Sequence, residues 1–427
     1  MQQNQLSLAD TLGLGFMTFA FFLGAGNLIF PPLAGLMSGE AMPMAMMGFM
    51  LTAVGLPLLT LFAVAKGNGT IMSLLPPVVA ITVTAAIFII IGPAFAAPRT
   101  SLVAYEIGYK PFFADANATS QALYTGAFFV VAMVLSLYPG RLLDTVGKIL
   151  TPVMIILLMI LSTSVMFYDG ADALPASGNF AEGAFVAGVL EGYNTMDALA
   201  SVVFGALIID VLRKKQITDL NQQNRYLVIA AVIAAIGLAG VYLPLFVLGS
   251  QAAELAPNAE NGGQILSAYV SSAFGGPGLV MLAAVVTLAC LTTAVGLISA
   301  CSDFFSETFK RLEYKPLVVL FSVVCAVIAN VGLTQLIAIS VPILVSVYPV
   351  AVALVIVTLL RDRFADPVTA HRVVFAFALC YGLIDGMKAA GLDMSFVQRL
   401  SDVSMGWVIP TAIVVFVFTL LKQKPQS

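Results

Sequence analysis

Apolar runs of 18 to 33 residues, parted by short polar or glycine-rich turns, alternate along almost the whole chain. Roughly 20 mostly apolar residues cross a bilayer as a helix. Reading the runs between turn signals predicts twelve spans, near residues 9–37, 42–65, 76–106, 121–138, 146–168, 181–212, 225–249, 277–309, 316–333, 335–360, 370–390 and 398–421. Only Gly332-Leu333-Thr334 separates the ninth from the tenth. The longest connection, Ser250 to Gly276, is rich in Gly, Asn and Ser, and its piece Gln264 to Ala273 is expected as a short surface helix. The pattern predicts an all-α multi-pass membrane protein.

Two spans violate their own hydrophobicity. In the first, Gly24-Ala25-Gly26-Asn27 and the pair Pro31-Pro32 interrupt an apolar stretch from Leu12 to Met37. In the sixth, Glu191-Gly192-Tyr193-Asn194-Thr195-Met196-Asp197 lies between two apolar halves. A central Asp costs roughly 2.5–3.5 kcal/mol on insertion scales. Freed backbone groups are tolerated at that depth only where protein, water or a ligand satisfies them. Either the polar run glues helices together, or both spans are broken helices lining a polar cavity. Breaks in spans one and six are what two inverted repeats of five helices place in matching positions, as in many transporters.

Composition and charge narrow the class. The chain is 60% hydrophobic and 10% charged, too few charges to cover a soluble surface, and its net charge of -3 implies no nucleic-acid partner. With the N-terminus cytoplasmic, fifteen Lys and Arg residues fall inside and only Lys110, Lys388 and Arg399 outside, with Arg99 within a span. That bias orients both termini to the cytoplasm. The N-terminal segment, Met1 to Asp10, lacks the features of a cleavable signal peptide. Cys290, Cys301, Cys325 and Cys380 read as small core residues. His371 is the only histidine, expected in a basic cytoplasmic loop, so one chain encodes neither a His-based metal site nor a Ser–His–Asp triad. Gly67-Asn68-Gly69-Thr70 lacks the lysine of a phosphate loop.

Three further polar features stand in apolar spans. Thr292 and Thr293 in the eighth either bond back to their own helix or offer hydroxyl oxygens to a hard cation. Arg99 calls for a partner, Glu106 or a carboxylate of another span, unless it snorkels to the interface. Asp303 and Glu307 end the eighth span as an inner vestibule gate or as a solvated face, and Asp385 in the eleventh is unassigned.

The runs Gly24 to Pro32 and Glu191 to Asp197 together resemble the bacterial branched-chain amino acid:cation symporter family of BrnQ-type carriers, over nearly the whole length. In that family the first span reads close to Phe-Phe-Leu-Gly-Ala-Gly-Asn-Leu-Ile-Phe-Pro-Pro, and the sixth resembles Glu-Gly-Tyr-Asn-Thr-Met-Asp-Ala. The resemblance implies a leucine-transporter-like fold in one transmembrane domain over 1–427. Its repeats would be 9–168 and 181–360, with two added helices over 370–421. It implies sodium-coupled uptake of leucine, isoleucine and valine across the bacterial inner membrane, with Na⁺ as coupling ion and neither a further cofactor nor an obligatory protein partner.

The wider superfamily implies a sodium site from the carbonyls of Ala20, Leu23 and Ala289 and the hydroxyls of Thr292 and Thr293. It also implies a carboxylate cradle on the backbone of Ala25, Gly26 and Asn27. Carbonyls or side chains of Glu191, Gly192, Tyr193, Asn194 and Thr195 would then take the substrate ammonium. Phe30 stands where the neurotransmitter branch carries an Arg, so an outer gate built on that Arg does not transfer. A proton-coupled carrier of other small apolar amino acids and an ion channel are the alternatives. A membrane-embedded enzyme would rest on Glu191 and Asp197 alone.

Overall fold

The computed structural model describes residues 5–113, 115–138, 151–168, 170–392 and 405–421. Among them every regular element is helical. The first apolar stretch folds as α1 (Leu8–Phe22) and α2 (Ala25–Ser38). Ser7 caps α1 by accepting the Asp10 N–H, and the chain turns at Leu23 and Gly24, the latter extended at φ −110°, ψ −161°. Next come α3 (Met42–Met50) and α4 (Leu56–Lys66), continuous through one π turn at Leu51–Gly55. The third stretch bends at Gly92 and Pro93 between α5 (Pro77–Ile89) and α6 (Ala96–Gly108), because proline cannot donate to the helix ladder. Then follow α7 (Ala118–Ser136), capped by Asn117, and α8 (Thr151–Val165).

The sixth stretch is broken like the first. It folds as α9 (Asn179–Asn194) and α10 (Asp197–Lys214), and Met196 between them adopts the left-handed conformation at φ 67°. Beyond it run α11 (Leu220–Ser250), α12 (Gly262–Thr308), α13 (Tyr314–Ile328), α14 (Leu333–Leu359), α15 (Pro367–Ala389) and α16 (Val408–Leu420). A 3-10 turn over Ala329–Val331 and Gly332, at φ 95°, join α13 to α14. Among the described residues nine stretches are long and apolar enough to cross a bilayer, and three shorter apolar helices accompany them. The first residues of the fifth and twelfth expected spans lie outside the described residues, as do Arg141, Lys148, Arg399, Lys422 and Lys424.

Three local expectations are corrected. Gln264 to Ala273 is helical but not a surface element: it begins α12, before a kink at Gly275, and buries Ile265, Leu266, Tyr269 and Val270. His371 is not in a loop. Asp366 caps α15, Pro367 takes its first position, and His371 is buried one turn later with Nδ1 2.7 Å from the Pro367 carbonyl. Cys380 is exposed, whereas the other three cysteines are buried.

The surface is apolar where the helices face outward, as with Val130, Val131 and Val134 on α7 or Ile409, Ile413 and Phe416 on α16. Inside, several helices touch backbone to backbone, and two pairs do so through reciprocal glycines. A Cβ on Gly35 would collide with the Phe246 carbonyl, and one on Gly249 with the Pro32 carbonyl, which locks α2 onto α11. Gly48 meets the Phe185 carbonyl and Gly188 the Ala45 carbonyl in the same reciprocal way, locking α3 onto α9. By contrast, α1 and α10 lean on their neighbours through side chains: Gly15 on Ile233, Phe19 on Gly237, and Gly205 on Val64.

Candidate functional site

A helix end leaves up to four backbone groups without intrahelical partners, so two breaks in the bundle interior create four such ends together. Their satisfaction defines the site. At the start of α2, Asn27 accepts the Gly24 N–H through Oδ1 at 3.1 Å and donates from Nδ2 to Asp197 Oδ2 at 2.7 Å. Tyr242, in the C-terminal half of α11, donates to the same carboxylate oxygen at 2.7 Å and also contacts Asn27 Nδ2. All three are buried. One carboxylate in the first turn of α10 thus fastens α2, α10 and α11 by charge-assisted hydrogen bonds.

The end of α9 is met by Arg99 from α6. Its Nη1 donates to the Asn194 carbonyl at 2.8 Å and its Nη2 to the Thr195 carbonyl at 3.3 Å. A cation suits a helix C-terminus, where the dipole is negative. The guanidinium also lies 5.2 Å from the centre of the Phe30 ring, and Arg99 is 3% exposed. It therefore neither snorkels nor pairs with Glu106, which bonds Lys110 at 2.7 Å instead.

The end of α1 is met by two threonines of α12. Thr293 Oγ1 lies 3.3 Å from the Ala20 carbonyl, 3.2 Å from that of Phe21 and 3.4 Å from that of Leu23. Thr292 Oγ1 bonds back to the Ala289 carbonyl at 2.9 Å and also lies 3.4 Å from Ala20 O. Back-bonding and contact with the broken helix thus occur together. The five oxygens of Ala20, Leu23, Ala289, Thr292 and Thr293 converge, yet two hydroxyls bring only two protons. The cluster is richer in acceptors than in donors.

Between the breaks lies a small cavity lined by Gly24 to Asn27, Arg99, Thr195, Asp197 and Thr293, with Phe21, Phe22, Ile91 and Phe204 as apolar walls. The space open to the centre of a water molecule is about 20 Å³, which suits a water but not an amino acid. Of the expected substrate residues, Ala25, Gly26, Asn27 and Thr195 line it. Four do not. Glu191 accepts from Asn194 Nδ2 at 3.2 Å, Gly192 packs on Thr52, and Tyr193 stacks on Tyr348 at 4.1 Å between ring centres. Asn194 turns only its carbonyl to Arg99. Asp303 and Glu307 line a separate cavity of about 260 Å³ with Asp210, Arg213 and the Asn68 to Thr70 loop. Sequence reasoning missed Tyr242, a lone polar group in the apolar part of α11 from Leu227 to Gly249, and gave neither Arg99 nor Asp197 a role at the breaks.

Known proteins resemble the chain along nearly its whole length. Residues 7–425 match the family described as branched-chain amino acid transport protein. The branched-chain amino acid transport system 2 carrier protein of Pseudomonas aeruginosa is 46% identical over 412 residues, covering 95% of this chain and 94% of that one. The branched-chain amino acid permease BrnQ of Escherichia coli strain K12 is 40% identical over 420 residues, covering 96% and 95%. Among solved structures, MhsT in complex with L-phenylalanine superposes with a TM-score of 0.57 at 16% identity, covering 98% of this chain and 99% of that chain. This last likeness shows the fold, the leucine-transporter-like one.

Proposed function

The chain belongs to the branched-chain amino acid transport protein family and is a carrier rather than an enzyme, and from that premise we propose that it imports leucine, isoleucine and valine by sodium-coupled symport. The observation that carries the coupling ion is the acceptor-rich cluster at the end of α1. Cages of oxygen hold cations of calcium's size at about 2.3–2.6 Å, so ligands at right angles stand about 3.3–3.7 Å apart. Sodium has nearly that radius, and the Thr292 and Thr293 approaches to α1 are 3.2 to 3.4 Å. An ion there binds α1 to α12. It favours whichever state of the carrier holds these elements together, through its differential affinity alone.

In this reading the substrate carboxylate lies on the backbone N–H groups of Ala25, Gly26 and Asn27, where a half-helix N-terminus favours negative charge. The ammonium faces the end of α9, Glu191 to Thr195, and the aliphatic tail faces Phe21, Phe22, Ile91 and Phe204. Residues 9–168 and 181–360 form the two inverted repeats, with 370–421 added. Both termini face the cytoplasm of a bacterial inner membrane, so a cysteine introduced at Asp115 should react with an impermeant reagent from outside. Reaction only from the cytoplasmic side would reverse the topology.

Proton coupling is the second reading, favoured by the buried carboxylate of Asp197 beside the same cavity. Labelled leucine uptake into proteoliposomes separates them. Concentrative uptake driven by a sodium gradient at equal pH fits the first reading. Uptake driven by a pH gradient without sodium replaces it with the second.

A further inference from the structure

The carbonyls assigned above to the substrate ammonium already hold a cation, and it is part of the protein. Arg99 occupies both the Asn194 and the Thr195 carbonyl. It also overhangs the proposed carboxylate cradle: a Cβ on Gly26 would stand 2.9 Å from Arg99 Nη2. Its Nε is buried without a hydrogen-bond partner among the described residues, so one donor of the fork is uncommitted. The cavity it borders admits a water but no amino acid. Substrate entry therefore requires movement at the residues between the breaks, and the guanidinium is the group that covers both substrate subsites.

The geometry points to Arg99 as a tethered stand-in for the substrate ammonium that becomes, on binding, the partner of the substrate carboxylate. This rests on the transport reading above and specifies how its site selects zwitterions. An entering carboxylate draws the guanidinium off the end of α9, because a planar fork bonds a carboxylate in two places and more strongly than it bonds neutral carbonyls. The ammonium that arrives with the carboxylate then takes the vacated carbonyls. The end of α9 keeps a cation throughout, and no charge is stranded. An amine without a carboxylate has to expel the guanidinium into a dry cavity, leaving a buried cation without a new anion. Asp197 borders the same cavity, but its Oδ2 already accepts from Asn27 and Tyr242, so it offers a displaced guanidinium at most Oδ1 and no two-point bond.

The test is thermal stabilisation of the purified full chain in detergent micelles by leucine, isocaproate (leucine without its ammonium) and isopentylamine (leucine without its carboxylate). Ligands that bind the folded state stabilise it by RT ln(1 + L/Kd), with L the free ligand concentration, and so raise the melting temperature, and no labelled leucine is needed. In the wild type leucine should bind best, isocaproate next, and isopentylamine worst. Arg99→Met removes the charge and keeps the stem. It should weaken leucine and isocaproate, and improve isopentylamine relative to isocaproate by about tenfold or more, the change expected for one hydrogen-bonded charge. Arg99→Lys should keep the wild-type order. Parallel weakening of all three ligands in Arg99→Met overturns the exchange, since a purely structural arginine would produce that. If Arg99→Met does not fold, the wild type decides: isopentylamine equal to or better than isocaproate overturns the proposal. No effect of leucine on the wild type sinks the transport reading as well, whereas a leucine effect with either adverse pattern sinks the exchange alone.

Discussion

At the first break, α1 ends on the carbonyls of Ala20, Phe21 and Leu23, which face two neutral hydroxyls at 3.2 to 3.4 Å. At the second, α9 ends on the carbonyls of Asn194 and Thr195, which face a guanidinium at 2.8 and 3.3 Å. Both ends carry the negative pole of a helix into the bundle interior. One is neutralised by a side chain of the protein. The other is surrounded by oxygens with too few protons to share. A diffusible cation is needed only where the protein supplies none, so the ion is expected at the end of α1 and the substrate at the end of α9.

The largest effect tests what lies between them. Asp197→Ala removes the acceptor shared by Asn27 and Tyr242 and strands both in the interior, at a cost of about 1–3 kcal/mol for each group left unpaired. Melting of the purified chain should fall accordingly and leucine uptake should vanish. A melting temperature within error of the wild type would mean that the two breaks are not held by a common anchor. Next come the hydroxyls. Loss of one costs about 1–3 kcal/mol, or roughly tenfold to hundredfold in the sodium concentration for half-maximal uptake. Thr293→Ala should exceed Thr292→Ala, because Thr293 touches three carbonyls of α1 while Thr292 is partly spent on Ala289. Unchanged sodium dependence in both variants at normal expression would return the threonines to ordinary helix packing.

A single methyl group at each break sharpens the contrast. On Gly24 it would stand 3.0 Å from Thr293 Cγ2, and on Gly26 it would stand 2.9 Å from Arg99 Nη2 and 3.1 Å from Thr195 Cα. Gly24→Ala should raise the sodium requirement, and Gly26→Ala the leucine KM, each about three- to tenfold, equivalent to roughly 0.7–1.4 kcal/mol. Equal effects of both variants on both quantities would merge the two sites into one. The smallest effect lies far from either break. Lys66 bonds Asp362 at 2.6 Å and holds its carboxyl below the usual carboxylate range, chiefly by that hydrogen bond. A depressed carboxylate stabilises the fold above its unfolded pKa and loses this as pH falls through the folded value. Because Asp362 is mostly exposed, Asp362→Asn should cost about 0–1 kcal/mol at neutral pH and nothing in acid. It should leave sodium and leucine dependence unchanged.

The breaks were legible in the sequence because glycine, asparagine and carboxylates inside an apolar run have no comfortable place in lipid. The meeting of Ala20 and Leu23 with Ala289, Thr292 and Thr293 was legible only through the family resemblance, since carbonyls belong to every residue type. Arg99 escaped for the same reason: its partners are backbone groups of another helix, which no side-chain pattern marks. Tyr242 reads as one more aromatic in α11 until Asp197 is brought against it. His371 was misplaced because Arg361, Arg363 and Arg372 suggest a solvated loop, although Asp366-Pro367 is a helix start that could have been read.

The reciprocal glycines that lock α2 to α11 and α3 to α9 have a mechanical consequence. Backbones in contact have no rotamers to yield, so each locked pair carries load as a single stiff beam. Helices α1 and α10 meet their neighbours through the side chains of Phe19, Ile233 and Val64, which act as springs. Of the four half-spans at the breaks, α1 and α10 are therefore the two with room to yield, pivoting at Leu23 and Met196. At each break the compliance thereby falls on one side, and which side that is follows from four residues that have no side chain.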